Sequence, residues 1–296
     1  MQPYPGLEGY ARAFDLPGSG LRLFAYVAGE PARRTFVLLH GLGDEADSWR
    51  YLIEPLSNYG QVVAPDLPGF GRSDKPHRKY TLQFLRDAVV ELVEQLAVSN
   101  IFIIGNSLGA VIAQTLALEQ PAWLKGVVLI DGTLVNRAQR LSPTLLLFLL
   151  PGVGEWLYDR LRKNPQAAYE TLRPYYLDLD SLPEEERRFL FQRVNQRVWD
   201  DAQRDAYLST LRNMAPFIAR QQKGLTERLS RLELPTLILW GDNDRIMPAA
   251  NGKAAAAAQP SARFVMLAEA CHLPQQECPQ AVLQAILDDK RFEIKA

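Results

Sequence analysis

The feature that most restricts the fold is an alternation between short apolar runs and longer segments with helical spacing. The short runs lie at residues 36–39, 62–64, 101–104, 127–130, 236–239 and 264–267, and most are followed within a residue or two by Gly, Asp or Pro. They do not alternate apolar with polar residues, which is the pattern of strands buried on both faces. In residues 81–98, Leu82, Leu85, Val89, Leu92, Val93 and Leu96 share one stripe, with Arg86, Asp87, Glu91 and Glu94 between them. That is an amphipathic helix, and Thr81 is placed to cap its first turn. Residues 107–120, closed by Pro121, and residues 248–258 and 277–287 read as further helices. The strand–helix repetition predicts βαβ units, a mostly parallel sheet and an α/β fold class. Residues 21–27 are predicted as an antiparallel strand ahead of the first parallel run.

The alternation stops between residues 131 and 236. About 100 residues without a convincing strand are far more than a connection needs. They hold helix formers, charges and the aromatics Trp156, Tyr158, Tyr169, Tyr175, Tyr176, Phe189, Phe191 and Trp199. This predicts a core formed by residues 1–133 and 232–296, with a helical insertion at 134–231. An insertion there is either a packing layer or a lid over the carboxyl ends of the strands, where open α/β sheets bind ligands.

Composition narrows the partners. The 33 basic and 34 acidic side chains of the 296 residues leave a net charge of −1, with none of the basic excess of a nucleic-acid binder. With 47% hydrophobic and 23% charged residues the chain is an ordinary globular one. Two cysteines, Cys271 and Cys278, are not a disulfide framework and fit a reducing compartment. The N-terminal residues lack a basic cluster and an apolar core, so no signal peptide is expected. The longest strongly apolar run, 145–150, is far shorter than the ~20 residues of a membrane span. The expectation is a cytoplasmic protein, monomeric or homodimeric, acting on a small molecule.

One constellation carries chemistry. Gly105-Asn106-Ser107-Leu108-Gly109 follows an apolar run and opens a helical pattern. A sharp strand-to-helix turn needs flanking glycines so that neighbouring elements can approach, and it lifts the serine to the top of the sheet. The helix that follows offers free N–H groups and the positive end of its dipole to a developing oxyanion. The alternative role for Ser107 is a helix N-cap. A nucleophilic serine needs a base, usually histidine. His40 belongs to the loop Leu39-His40-Gly41-Leu42-Gly43, and His77 to the polar loop Asp74-Lys75-Pro76-His77-Arg78. His272, after the last strand, is the predicted base. Asp244, in Trp240-Gly241-Asp242-Asn243-Asp244-Arg245, is the predicted acid that orients it, with Asp242 and Asp131 as competitors. The order Ser107, Asp244, His272 is that of hydrolases built on this sheet. The predicted oxyanion donors are the amides of Leu108 and Leu42, with Gly43 as the alternative to Leu42.

At these residues the chain resembles an α/β-hydrolase of the capped, esterase-like kind. His40-Gly41-Leu42-Gly43 resembles the family's oxyanion loop, and Asp66-Leu67-Pro68-Gly69-Phe70-Gly71-Arg72-Ser73 the turn after its next strand. Gly105 to Gly109 resembles its nucleophile elbow, Trp240 to Asp244 its acid loop, and Cys271-His272 its histidine loop. The resemblance runs from about residue 20 to about residue 290, the insertion excepted. Many relatives have glycine where this chain has Cys271, which reads here as a small buried hydrophobe. Serine at the nucleophile position argues against the aspartate-using haloalkane dehalogenases and epoxide hydrolases. The loop after His40-Gly41 lacks the glycine-rich extension usual in C–C hydrolases of aromatic ring cleavage.

The resemblance implies a cofactor-free serine hydrolase cleaving a carboxylic ester of a small to medium apolar substrate through an acyl-enzyme. The run 145–150 and the aromatics of the insertion predict an apolar acyl or alkyl pocket. A C–C hydrolase, thioesterase, lactonase, amidase or perhydrolase would share the triad. A ligand-binding sensor with little turnover is the rival from another class. No metal site is predicted, since the histidines are far apart and no C-x-x-C or H-E-x-x-H spacing occurs. There is no P-loop, and Gly69-Phe70-Gly71 lacks the third glycine of a dinucleotide fingerprint.

Overall fold

The computed structural model describes residues 1–31, 34–136 and 143–294, without the side chains of 143–145. Its strands are β1 (Ala11–Leu16), β2 (Leu21–Ala28), β3 (Thr35–Leu39), β4 (Gln61–Pro65), β5 (Ile101–Asn106), β6 (Leu124–Ile130), β7 (Thr236–Gly241) and β8 (Ala262–Leu267). They form one sheet in the order β1-β2-β4-β3-β5-β6-β7-β8. The pairs β1–β2 and β2–β4 are antiparallel, and every other pair is parallel. This is the α/β-hydrolase fold.

Burial on both faces explains the apolar runs. Val37, Leu39, Ile101, Ile103, Val127 and Leu129 face a core on one side of the sheet, beneath α2 (Leu82–Leu96) and α3 (Leu108–Glu119). Their chain neighbours Phe36, Leu38, Phe102, Ile104, Val128 and Ile130 face the other core, beneath α1 (Ile53–Ser57) and α12 (Pro279–Leu287). Successive strand side chains point to opposite faces, so a strand covered on both sides has no polar position to alternate with. Thr81 caps α2 by accepting a hydrogen bond from the Phe84 amide at 3.1 Å.

Two elements differ from the sequence reading. β1 was not anticipated; it is an edge strand with largely open side chains, so its sequence carries no apolar run. The helix predicted at 277–287 is α12, which starts two residues later, and a separate short helix, α11 (Pro274–Glu277), precedes it. Pro279 has no N–H to continue the first and starts the second at Cys278.

Between β6 and β7 the described residues contain helices and no strand: α4 (Pro143–Leu149), α5 (Val153–Leu161), α6 (Pro165–Glu170), α7 (Glu184–Trp199), α8 (Asp201–Gln221) and α9 (Leu225–Ser230). The insertion has a small core of its own, formed by Tyr169, Tyr176, Leu179, Leu190 and Val194, which Leu273 joins from the loop after β8. At its far end, Leu225 and Leu229 pack into the main core beside α10 (Ala249–Ala258). Among the described residues no helix is long and apolar enough to cross a membrane.

Topology places the site. The chain runs from β3 outward to β4 and then returns past β3 to β5, so the strand order reverses between β3 and β5. Ligands bind at the carboxyl ends of strands at such a switch point. Register pairs Leu39 with Gly105, Asn106 with Ile130, Ile130 with Leu239, and Gly241 with Leu267. The loops after β3, β5, β6, β7 and β8 therefore emerge at one end of the sheet.

Candidate active site

Ser107 sits between β5 and α3 with φ 52° and ψ −109°, a left-handed backbone that costs a non-glycine residue energy and persists only where its surroundings enforce it. They do so by close approach. A Cβ on Gly109 would lie 2.1 Å from the Leu39 carbonyl oxygen, and one on Gly105 2.3 Å from the Gly109 carbonyl carbon. A Cβ on Gly132, after β6, would lie 2.4 Å from the Ser107 carbonyl oxygen. The Ser107 amide donates to the Ile130 carbonyl at 2.8 Å, and its hydroxyl makes no capping bond to α3. The N-cap role is therefore not what holds this serine.

Asp244 and His272 are brought together. The His272 Nδ1 lies 2.9 Å from Asp244 Oδ2, and the two side chains are 2% and 1% exposed. The other oxygen of Asp244 accepts the Ile246 and Met247 amides at 2.8 and 3.0 Å. With Nδ1 as the donor, Nε2 keeps its lone pair. Ser107 and His272 are linked through a neighbour rather than directly: Asn106 Nδ2 donates to the His272 carbonyl at 3.0 Å. No Ser107–His272 hydrogen bond is formed in this structure.

The competitors separate by burial. Asp242 is exposed and accepts from its neighbour Asn243. Asp131 is fully buried, accepts the Gly241 amide at 2.9 Å through Oδ1, and leaves Oδ2 without a donor. Burial, and then the facing Asp244 carboxylate, push the Asp131 pKa well above the usual carboxylate range. Among the described residues the only grouping of metal-ligating atoms is Asp131, Asp244 and His272, all within 4.8 Å of one another. Asp244 in that group already serves two amides and the imidazole.

The loop after β3 approaches the serine, where a Cβ on Gly41 would lie 3.5 Å from the Ser107 Cβ. Leu108 opens α3, so its N–H has no acceptor within the helix. The Leu42 amide, in the loop after β3, donates to no described group. His40 holds this loop. Its Nε2 accepts the Leu67 amide at 2.9 Å, so Nδ1 carries the proton donated to the Gly41 carbonyl at 2.8 Å. Burial lowers the His40 pKa, in keeping with a neutral structural imidazole. His77 is exposed.

The insertion reaches the histidine loop. The His272 amide donates to the Tyr175 carbonyl at 3.1 Å, and the two rings lie 5.7 Å apart. Glu277 ties the two segments, accepting the Leu177 amide at 2.6 Å and the Cys271 amide at 2.8 Å. The buried Cys271 thiol has one proton, with the Pro174 and Asn243 carbonyls both within its reach at 3.3 and 3.2 Å, and burial pushes its pKa up, as for an inert thiol. The contacts that Tyr175, Asn106 and Glu277 make here are not legible in the sequence, because nothing in their local pattern marks a partner so far along the chain.

The apolar run at 145–150 is half open where it is described. Leu146, Leu147 and Leu150 are 47%, 45% and 50% exposed, and the side chain of Leu145 lies outside the described residues. Insertion tyrosines reach the loops around the site: Tyr207 packs on Gly43 and on Tyr158, and Tyr175 on His272.

A family profile described as the alpha/beta hydrolase fold matches residues 34–279. An uncharacterized hydrolase of Bacillus subtilis (strain 168) is 29% identical over 261 residues, covering 87% of this chain and 90% of that protein. The 2-hydroxy-6-oxononadienedioate/2-hydroxy-6-oxononatrienedioate hydrolase 2 of Pseudomonas putida is 30% identical over 261 residues, covering 86% of each. Among solved structures, the 2-hydroxy-6-oxo-6-phenylhexa-2,4-dienoate hydrolase of Rhodococcus sp. strain RHA1 superposes with a TM-score of 0.78 at 23% identity, covering 96% of this chain and 99% of that one.

Proposed function

The chain belongs to the alpha/beta hydrolase fold family, and from that premise we propose that it is a cofactor-free serine hydrolase cleaving carboxylic esters through an acyl-enzyme. One observation carries the reading: a buried Asp244–His272 pair, bonded through Nδ1, lies at the same end of the sheet as Ser107 on its strained turn. In this mechanism Ser107 Oγ attacks the acyl carbonyl while His272 Nε2 takes its proton. Asp244 holds the tautomer and stabilises the imidazolium. The amides of Leu42 and Leu108 receive the oxyanion, where preorganised donors contribute most. His272 then protonates the leaving alcohol and activates the water that releases the acid. The Ser107–His272 hydrogen bond forms as substrate fills the site, as catalytic contacts often tighten only in the complex.

In the same reading residues 134–231 are a cap, with tyrosines at the mouth of the site. The two free cysteines fit a reducing cytoplasm. C–C bond hydrolysis on the same residues is the second reading, favoured by the 30% identity to the P. putida dienedioate hydrolase.

The test is turnover of p-nitrophenyl esters from acetate to palmitate by wild type and Ser107→Ala. We expect the variant to lose about 10⁴-fold or more, with some residual rate over water. Equal rates in the two proteins would remove Ser107 from the chemistry.

A further inference from the structure

The buried carboxyl group of Asp131 has no role in the mechanism above. It follows β6 with φ 48°, and its amide donates to the Leu239 carbonyl at 3.1 Å. With the Gly241 amide on Oδ1, it bridges β6 and β7 immediately beneath Asp244. Its Oδ2 is buried and receives no hydrogen bond. A buried carboxylate oxygen without a donor is costly, but the same oxygen carrying a proton is itself a donor. Asp244 is the acceptor at hand, since one oxygen of each carboxyl group and one ring nitrogen of His272 lie within 4.8 Å of one another, and the two carboxyl groups are within hydrogen-bonding reach.

Two buried carboxylates this close do not both ionise, and their partners decide which holds the proton. Asp244 has two amides and the imidazole, whereas Asp131 has one amide. We propose that Asp131 is a neutral carboxylic acid that donates its proton to Asp244, making it a positioning residue in a chain Asp131–Asp244–His272. The donated bond fixes the Asp244 carboxylate against the ring and spares the site a second negative charge beneath the histidine.

The surroundings agree. Asp244 and Asp242 face this region from the loop after β7, and Glu277 and Cys278 from the segment after His272. Arg245 acts on Glu277. Burial, Asp244 and Glu277 all push Asp131 toward the protonated form, and the Gly241 amide alone opposes them.

This inference rests on the serine-hydrolase reading for its kinetic test but not for its spectroscopic one. Asp131→Asn keeps a neutral group that can accept from Gly241 and donate to Asp244, while Asp131→Leu cannot donate. We expect the acid limb of kcat/KM against pH to stay in place in Asp131→Asn. We expect Asp131→Leu to lose at least about tenfold more kcat than Asp131→Asn, the size of a lost charge-assisted hydrogen bond. A limb displaced to lower pH by about one unit in Asp131→Asn would show that a negative charge had been removed, and would overturn the proposal. Equal kcat in the two variants would also overturn it. Where Asp131→Leu does not fold, infrared difference spectra of wild type against Asp131→Asn decide. The carbonyl band of a protonated carboxylic acid at neutral pH, lost in the variant, is expected, and its absence from wild type contradicts the proposal. If the wild type hydrolyses nothing, the hydrolase reading fails while the infrared result still reports on Asp131.

Discussion

The carboxyl end of the sheet and the helical insertion above it are held by different physics. Around Ser107 the fixing contacts are backbone against backbone, as with Gly109 on Leu39, Gly132 on Ser107, and Gly241, where a Cβ would lie 2.0 Å from the Cys271 carbonyl oxygen. The helix α7 of the insertion is instead tied to the core by charge. Arg193 of α7 pairs with Glu45 at 3.0 Å and Asp47 at 2.6 Å, and Arg197 pairs with Asp44 at 2.6 Å and Glu45 at 2.8 Å. Glu186, on the same helix, pairs with Arg50 at 2.7 Å. The side chains of Arg193, Glu45 and Asp47 are 6%, 0% and 2% exposed, so these pairs are taken out of water. All four core partners follow directly on the loop that carries Leu42. The insertion thus clamps the chain that positions one proposed oxyanion donor.

The contrast teaches where each region fails. A glycine contact is intolerant of any side chain but indifferent to pH. A buried ion pair adds little net stability over an apolar replacement, yet is costly to half-remove.

The largest effect should come from Gly109→Ala. The added methyl meets the main chain of Leu39, which cannot step aside without moving β3. We expect failure to fold, or a loss above about 4 kcal/mol in urea unfolding. A loss under about 1 kcal/mol would show that the elbow has slack. Next is Arg193→Met, which leaves Glu45 and Asp47 facing each other without this partner. A loss of about 3–5 kcal/mol is expected, with proteolysis starting in the insertion. An unchanged unfolding midpoint would mean that charge does not hold the insertion.

The smallest effect concerns pH. The folded-state pKa of Asp131 is raised, so the folded protein holds a proton that the unfolded chain releases above its ordinary carboxylate value. That contribution to stability is fully present below the unfolded pKa and is lost as pH rises through the folded one. Asp131→Asn should flatten this fall by at most about 1.4 kcal/mol per pH unit. Parallel stability–pH curves for wild type and variant would show that Asp131 ionises normally.

Legibility in the sequence follows the same division. Gly105 to Gly109, His40 to Gly43 and Trp240-Gly241 were readable because each constraint lies within a few residues. The alternation gave the sheet for the same reason. Ion pairs such as Arg193 with Asp47, 146 residues apart, leave no local pattern. Nor does the Glu277 tie to Leu177, 100 residues away. The exposure of Leu146, Leu147 and Leu150 is not legible either, because an apolar run on a short helix looks the same from either side.

The most direct test of Ser107 as an activated nucleophile is covalent labelling with an alkyl fluorophosphonate, read by intact mass and peptide mapping. We expect one adduct per chain, on Ser107, formed at least about 100-fold more slowly in His272→Ala. An adduct elsewhere, no adduct, or a rate indifferent to His272 would contradict the site assembled here.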